Sequence, residues 1–174
     1  MTDTPTIRTL TRRQLLSRGV AAGAGLVVGS GFVAGSDAAW ATEMNALKPD
    51  TMATLIQMAR DIYPHDKVGD QYYAAAVKGY DVPDEVDFAE AGIELLNEKA
   101  QVTGAGRYLD IGWEAERVAV LRTIEDTPFF QRIRGGLVTG LYNQKAVWPI
   151  FGYEGESYSQ GGYMYRGFDD ISWI

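Results

Sequence analysis

The chain has 174 residues, of which 16 are lysine or arginine, 23 are aspartate or glutamate and none is cysteine. The lack of cysteine excludes disulfide bonds, thiolate-bound iron–sulfur clusters, covalently attached haem and thiol catalysis. His65 is the only histidine, so a transition-metal site would have to consist of carboxylates. The formal charge of −7 argues against binding to nucleic acids and to anionic lipid surfaces.

Residues 1–41 have the layout of an export signal. A segment with four arginines precedes an uncharged stretch at residues 19–36, and a small-x-small cleavage site follows at Ala39 and Ala41. Six glycines make the uncharged stretch weakly apolar, which favours a signal over the alternative of a permanent membrane anchor. Three of these glycines form a GxxxGxG pattern. Without a preceding strand or a suitably placed acidic residue, this pattern does not indicate a dinucleotide-binding loop.

The sequence TRRQLLS, at residues 11–17, resembles the twin-arginine translocation motif. Arg12 and Arg13 form the arginine pair, and Leu15 and Leu16 are the large apolar residues that follow it. Threonine, leucine and serine stand where serine, phenylalanine and lysine are usual. This route carries folded proteins, usually because a cofactor is inserted in the cytoplasm. Since this chain has no cofactor-binding motif of its own, we expect it to reach the periplasm together with a cofactor-containing partner.

The remaining 133 residues carry 12 basic and 21 acidic side chains and have the length of one domain, with a formal charge of −9. Amphipathic spacing and helix-boundary residues predict five helices, which would form a small, mainly α bundle in a domain at residues 42–147. The predicted helices are residues 49–64 (N-cap Asp50, stop Pro64), 70–80, 83–104 (opened by Pro83, ended by Gly104), 113–126, and 128–143 (opened by Pro128, loosened by Gly135 and Gly136).

Residues 148–174 form an irregular arm that is rich in aromatic residues and glycine. They contain eight of the twenty aromatic residues, and no helical or strand period would bury them on one face. Such a segment either folds over the core of its own chain or lies against another protein. Tyrosine and tryptophan suit an interface because they offer large contact areas at low entropic cost, so a partner surface is the favoured alternative. Its expected aromatic contacts are Trp148, Phe151, Tyr153, Tyr163, Tyr165, Phe168 and Trp173.

Three charged residues of the arm are candidate polar contacts in the same interface. Arg166 lies between aromatic residues, on which its guanidinium can stack, and it can also bind a carboxylate through two hydrogen bonds. Asp169 and Asp170 could be read as a catalytic carboxylate pair, but neighbours in sequence more often form ion pairs with arginines. We therefore expect all three residues to contact the partner.

His65 and Asp66, after Tyr63 and Pro64, could be read as an acid–base pair. Adjacent residues do not converge on a substrate unless the backbone bends for it, so a turn histidine at a helix end is the simpler interpretation. The sequence GAGR at residues 104–107 is too short for a phosphate-binding loop and is best explained as a helix stop. No catalytic, cofactor-binding or metal-binding residue is predicted.

Several segments together resemble the gluconate 2-dehydrogenase subunit 3 family. They are the twin-arginine leader, RDIYPHD at residues 60–66, TPFFQRIR at 127–134, GLYNQKAVWPIFGYEG at 140–155 and the closing GGYMYRGFDDISWI. The resemblance covers nearly the whole mature chain. Its most specific part is the aromatic and glycine pattern of the tail, which comprises Trp148, Gly152, Tyr153, Gly155, Gly161, Gly162 and Tyr163.

The resemblance implies a non-catalytic small subunit of a periplasmic dehydrogenase that oxidises sugars, sugar acids or, in related complexes, glucosides. The large partner in such complexes is a glucose-methanol-choline-type (GMC-type) oxidoreductase that holds FAD and lacks its own export signal. The small subunit would bind this folded partner as a chaperone and carry it through the twin-arginine translocon as a hitchhiker. Electrons would then pass to a cytochrome c subunit with c-type haem or to another acceptor, in a complex that can be membrane-associated.

Two other classes of function remain open on the sequence. One is an independent periplasmic binding module with its own small ligand, which would require a stable monomer and an apolar pocket. The other is a small periplasmic enzyme.

Overall fold

The computed structural model describes residues 27–28, 31–32 and 44–165. The described part is mainly helical and forms a small bundle of five α-helices, as the sequence predicted. The helices are α1 (Pro49–Ile62), α2 (Asp70–Val77), α3 (Pro83–Ala100), α4 (Glu114–Arg122) and α5 (Pro128–Tyr142). Short 3₁₀ turns lie at Lys78–Tyr80, Gln101–Thr103, Tyr108–Asp110, Trp148–Phe151 and Ser157–Gln160.

One short strand pair is also described. Strand β1 (Val27–Val28) pairs antiparallel with β2 (Gly31–Phe32), with Val27 opposite Phe32 and Val28 opposite Gly31. The pair falls within the predicted export signal. The rest of that signal, including Arg12, Arg13, Leu15, Leu16, Ala39 and Ala41, lies outside the described residues.

Proline opens three of the helices. Pro49, Pro83 and Pro128 each occupy the first helical turn, where a missing backbone N–H costs no hydrogen bond. The predicted N-cap Asp50 was wrong by two residues, because Lys48 is the N-cap and Asp50 lies in the first turn. There its carboxylate still suits the positive end of the helix dipole.

The ends of three helices also differ from the prediction. Helix α2 ends at Val77, and the last three residues of its predicted span form the 3₁₀ turn Lys78–Tyr80. Helix α3 ends at Ala100, and the 3₁₀ turn after it closes on Gly104, whose φ of +83° is the left-handed conformation that glycine adopts readily. Helix α4 ends at Arg122, four residues before the predicted end, and the chain then turns into α5. The hydroxyl of Thr123 donates to the carbonyl of Val120, which is a local bond that competes with helix continuation.

Helix α5 runs through Gly135 and Gly136 without a break. The glycines on its inner side have a packing role. A Cβ atom on Gly136 would lie 2.8 Å from the hydroxyl of Tyr80, and one on Gly140 would lie 2.9 Å from the carbonyl oxygen of Ala76 in α2. These glycines therefore allow α2 and its 3₁₀ extension to approach α5 closely.

Helix α1 lies at the centre of the bundle and is buried on nearly every side from Thr51 to Ala59. Helices α2, α3, α4 and α5 all contact it. The core ends toward the C-terminus at Val147, which is fully buried, immediately before the predicted arm. In the described part of the chain, no helix is both long enough and apolar enough to cross a membrane.

Candidate partner-docking site

The arm begins with a tryptophan that is attached to the end of α5. Trp148 lies half-buried in a 3₁₀ turn, and its indole Nε1 donates a hydrogen bond of 2.8 Å to the carbonyl oxygen of Tyr142. The ring of Tyr153 meets the indole edge-on, with centroids 5.2 Å apart. The ammonium of Lys145 lies 5.6 Å from the indole centroid, at the distance of a cation–π contact. The first turn of the arm is thus bound to its own bundle.

His65 forms the second attachment. It lies in the turn after α1, and its Nε2 is 2.7 Å from the hydroxyl of Tyr142. The ring of Phe151 packs edge-on against the imidazole at 4.9 Å and against the Tyr142 ring at 5.8 Å. Burial lowers the pKa of His65 and raises that of Tyr142. The histidine ring therefore holds α1, α5 and the arm together, whereas the neighbouring Asp66 is exposed to solvent.

The backbone of residues 152–162 is folded by hydrogen bonds of its own. The amide of Gly162 donates to the carbonyl of Ser157 at 2.7 Å, and the side-chain amide of Gln160 donates to the carbonyl of Glu154 at 2.7 Å. An exposed ion pair of 2.9 Å joins Lys145 of the bundle to Glu156. These bonds hold the segment on the surface without burying its aromatic side chains.

Glycine allows the sharp turns of this segment. Gly152, Gly155, Gly161 and Gly162 all have a φ between +77° and +103°, a region that other residues rarely adopt. Gly155 also lies against the indole of Trp148, since a Cβ atom on it would be 3.5 Å from the ring. All four glycines belong to the tail pattern that supports the family resemblance.

Beyond the attachments, the apolar side chains point into solvent. We call residues 157–165 the docking segment. The side chains of Tyr158, Tyr163, Met164 and Tyr165 are 93%, 79%, 74% and 89% exposed. An exposed apolar patch of this kind on a folded surface is typical of a protein interaction site. The ion pair of Lys145 and Glu156 lies directly beside this segment.

The predicted interface residues thus fall into three groups. Trp148 and Phe151 contact their own bundle and Tyr153 packs on Trp148, although Phe151 and Tyr153 remain 47% and 46% exposed. Tyr163 and Tyr165 contribute to the exposed docking segment. The other predicted contacts, Arg166, Phe168, Asp169, Asp170 and Trp173, lie outside the described residues.

A buried charge network lies at the C-terminal end of α1, and the sequence analysis missed it. Asp61 accepts two hydrogen bonds from Arg117, of 2.7 and 3.0 Å, one from the hydroxyl of Tyr108 at 2.6 Å and one from the amide of Gln57 at 3.1 Å. The remaining Arg117 nitrogen donates to the carbonyl of Ile111. Burial and the neighbouring Asp61 raise the pKa of Tyr108 far above its usual range. The network groups bond one another and so join α1 to α4 and to the 3₁₀ turn at Tyr108–Asp110.

A second missed carboxylate, Asp81, holds the start of the described body. It accepts hydrogen bonds of 2.8, 2.8 and 2.9 Å from the backbone amides of Asn45, Ala46 and Leu47. Burial alone would raise the pKa of Asp81, but these three donors outweigh burial and hold the pKa below its usual range. The spacing of 34 to 36 residues between donor and acceptor explains why no local sequence pattern revealed this contact.

A groove of about 650 Å³ lies between the N-terminal end of α1 and helix α3. It is lined mainly by charged side chains, among them five carboxylates. Two cations border it: Lys48 is paired with Glu90, and Arg107 is paired with Asp50 and Asp110. This lining differs from the apolar pocket that a small-ligand module would need.

Among residues 44–165, no three histidine, aspartate or glutamate side chains are arranged to hold a metal ion. Comparisons of the chain with protein-family models, curated proteins and solved structures gave no match.

Proposed function

We propose that this chain is the non-catalytic small subunit of a periplasmic, flavin-dependent dehydrogenase that oxidises a sugar, a sugar acid or a glucoside. It binds a GMC-type large subunit that contains FAD, acts as its chaperone and carries it through the twin-arginine translocon. Electrons from the flavin pass to a c-type haem subunit or another acceptor.

The observation that carries the proposal is the docking segment. Four large apolar side chains lie within eight residues and are each at least 74% exposed, within or directly after a backbone stretch, residues 153–162, that is folded by hydrogen bonds of its own. Pre-ordering lowers the entropic cost of binding, because the backbone and the glycine turns need not be fixed on association. Tyrosine side chains add area and a hydroxyl donor, which explains their frequent presence among interface hot spots.

The charge of the chain favours a protein partner over a membrane or a nucleic acid. The body at residues 42–174 has a formal charge of −9, so it would be repelled by phosphate-rich surfaces. The twin-arginine leader supports a partner that folds around its cofactor before export. The absence of cysteine and the presence of one histidine, which bonds Tyr142, support a cofactor that resides in the partner.

The alternative function, an independent binding module with its own small ligand, would use a pocket rather than an exposed segment. The groove between α1 and α3 is the place to test it, but its carboxylate lining would suit only a cationic ligand. Such a module would be a monomer that needs no flavoprotein for its activity.

Co-expression with a candidate GMC-type oxidoreductase that contains FAD and has no export signal tests the proposal directly. An affinity tag on this chain should retain a protein with the absorbance spectrum of bound FAD, and the isolated chain should show no flavin absorbance. Deleting residues 156–174 should abolish this copurification while the helices remain, because the core already ends at Val147. Circular dichroism of the truncated chain checks that the helices remain.

Two outcomes would contradict the proposal. Stoichiometric FAD on the isolated chain would make it a flavoprotein in its own right. A truncated chain that stays helical and retains the flavoprotein would place the docking surface on the helices instead of the C-terminal segment.

A further inference from the structure

The docking segment joins the bundle through a small set of rings, which we call the aromatic junction: His65, Tyr142, Trp148 and Phe151. Tyr142, at the last position of α5, makes two of its bonds, since its hydroxyl meets His65 at 2.7 Å and its carbonyl accepts from Trp148 at 2.8 Å. Phe151 closes the set by packing on both the imidazole and the phenol ring. The segment that follows carries the exposed tyrosines.

We propose that His65 is a positioning residue for partner binding, which orients the docking segment through Tyr142 and Phe151 and does so in its neutral form. The inference rests on the proposed function in taking residues 157–165 as the surface that the flavoprotein binds. The inference adds that acidification releases the docking segment from the bundle and weakens the complex with the flavoprotein.

The surroundings of His65 favour the neutral imidazole. The ring lies half-buried between a phenol and a phenyl ring, and burial is the cause of its lowered pKa. The other titratable groups near it are Tyr142 on α5, Tyr73 on α2, Tyr63 at the end of α1, whose ring packs on that of Tyr142, and the exposed Asp66 and Lys67 in its own turn. Among the described residues, no carboxylate raises the pKa of His65 by stabilising the imidazolium.

The sign of the effect follows from the direction of this shift. A group that binds protons more weakly in the attached state drives the equilibrium toward the detached state as the pH falls. Attachment is therefore unaffected above the ordinary histidine pKa of about 6.5 and weakens below it. A protonated ring must be hydrated, and it gains water by leaving the contact with Phe151.

His65 is the only histidine, so its proton NMR titration in the full, untagged chain gives an unambiguous pKa. We expect this value to be below 6.5. In the same samples, hydrogen exchange of the amides at residues 148–165, corrected for intrinsic rates, should be faster at pH 5.0 than at pH 7.5. The expected increase is about fivefold, which corresponds to a weakening of the attachment by about 1 kcal/mol.

Three variants separate positioning from a general structural effect. His65→Gln removes the titrating group, so exchange in the segment should no longer depend on pH. Tyr142→Phe removes the hydroxyl but keeps the histidine, so exchange should be faster at both pH values and still depend on pH. Tyr80→Phe removes a hydroxyl that bonds Arg132 elsewhere in the bundle and should match the wild-type chain.

The inference is overturned if exchange at residues 148–165 is the same at both pH values, or if its pH dependence persists in His65→Gln. If His65→Gln does not fold, a His65 pKa at or above 6.5 in the wild-type chain overturns it equally. These readouts need no partner, so they are independent of the copurification that tests the proposed function. With a partner present, retention of the flavoprotein should fall between pH 7.5 and 5.0 for the wild-type chain and stay constant for His65→Gln.

Discussion

Replacing Arg117 with methionine should destabilise the bundle strongly. The side chain of Asp61 is 2% exposed and that of Arg117 is 11% exposed, so removal of the guanidinium leaves a carboxylate buried without its counter-ion. Two hydrogen bonds to Arg117 are lost, and only those from Tyr108 and Gln57 remain. Breaking a buried ion pair in this way costs about 3–5 kcal/mol, a large part of the total stability of about 5–15 kcal/mol for a typical domain.

Arg107→Met provides a matched control. Arg107 also binds an aspartate through two nitrogens, with distances of 3.1 and 3.0 Å to Asp110, but its side chain is 50% exposed. Its third nitrogen pairs with Asp50 at 3.0 Å, so Arg107 has two carboxylate partners where Arg117 has one. Exposed pairs each contribute about 0–1 kcal/mol, so Arg107→Met should cost less than Arg117→Met even though it breaks one ion pair more. Urea unfolding followed by circular dichroism measures both free energies of unfolding.

The double variant Asp61→Asn with Arg117→Met tests the origin of the loss. If the uncompensated carboxylate causes it, the double variant should be destabilised by less than the sum of the two single variants. Equal losses for Arg117→Met and Arg107→Met would refute the reasoning, because burial would then make no difference to the ion pair.

Three further predictions concern other parts of the chain. Asp81→Asn should reduce stability by about 1–3 kcal/mol at neutral pH, by weakening three buried hydrogen bonds. Because the pKa of Asp81 is lowered in the folded state, this difference should persist above about pH 4 and vanish as the pH falls further, which urea unfolding at several pH values would measure. Gly140→Ala should destabilise the chain because its Cβ would press on a backbone carbonyl of α2, whereas Gly135→Ala, where the space is open, should stabilise it by about 0.5–1 kcal/mol in thermal unfolding. Replacing Arg12 and Arg13 with lysine should keep both this chain and its partner in the cytoplasm, and normal dehydrogenase activity in the periplasmic fraction would contradict the hitchhiker mechanism.

The helices could be predicted because their determinants are local. Pro49, Pro83 and Pro128 mark helix starts within a few residues, and apolar spacing on the chain itself indicates which face is buried. The bonds between Asp61 and Arg117, which are 56 residues apart, have no such local determinant. The sequence shows Asp61 near the end of an amphipathic helix, and its partner becomes visible only when α1 and α4 pack together.

The arm illustrates the same limit at the candidate site. Its aromatic density and lack of period indicated an irregular segment, but both packing at home and contact with a partner were compatible with that pattern. Tertiary contacts decide which residues of the arm pack on their own chain and which stay exposed. Trp148 bonds the end of α5 and Phe151 packs on His65, whereas Tyr158 and Tyr165 are exposed to solvent. The glycines are part of the pattern that resembles the family, but their left-handed turns appear only in the folded chain.

Replacing Tyr158, Tyr163 and Tyr165 together with serine tests the docking surface most directly. Because these side chains are 79–93% exposed, their removal should leave the thermal stability of the chain unchanged. The matched control replaces Val102 and Trp113 with serine. Val102 follows the C-terminal end of α3 and is 89% exposed, and Trp113 directly precedes α4 and is 75% exposed. Neither variant alters the aromatic junction.

The decisive measurement is the dissociation constant of each variant for the purified FAD-containing large subunit. The account predicts that the tyrosine variant binds at least about 30-fold more weakly, which corresponds to one hot spot of about 2 kcal/mol, while the control variant binds like the wild-type chain. Equal affinity of the tyrosine variant and the wild-type chain would contradict the assignment of residues 157–165 as the docking surface, and no binding by the wild-type chain would contradict the proposed function itself.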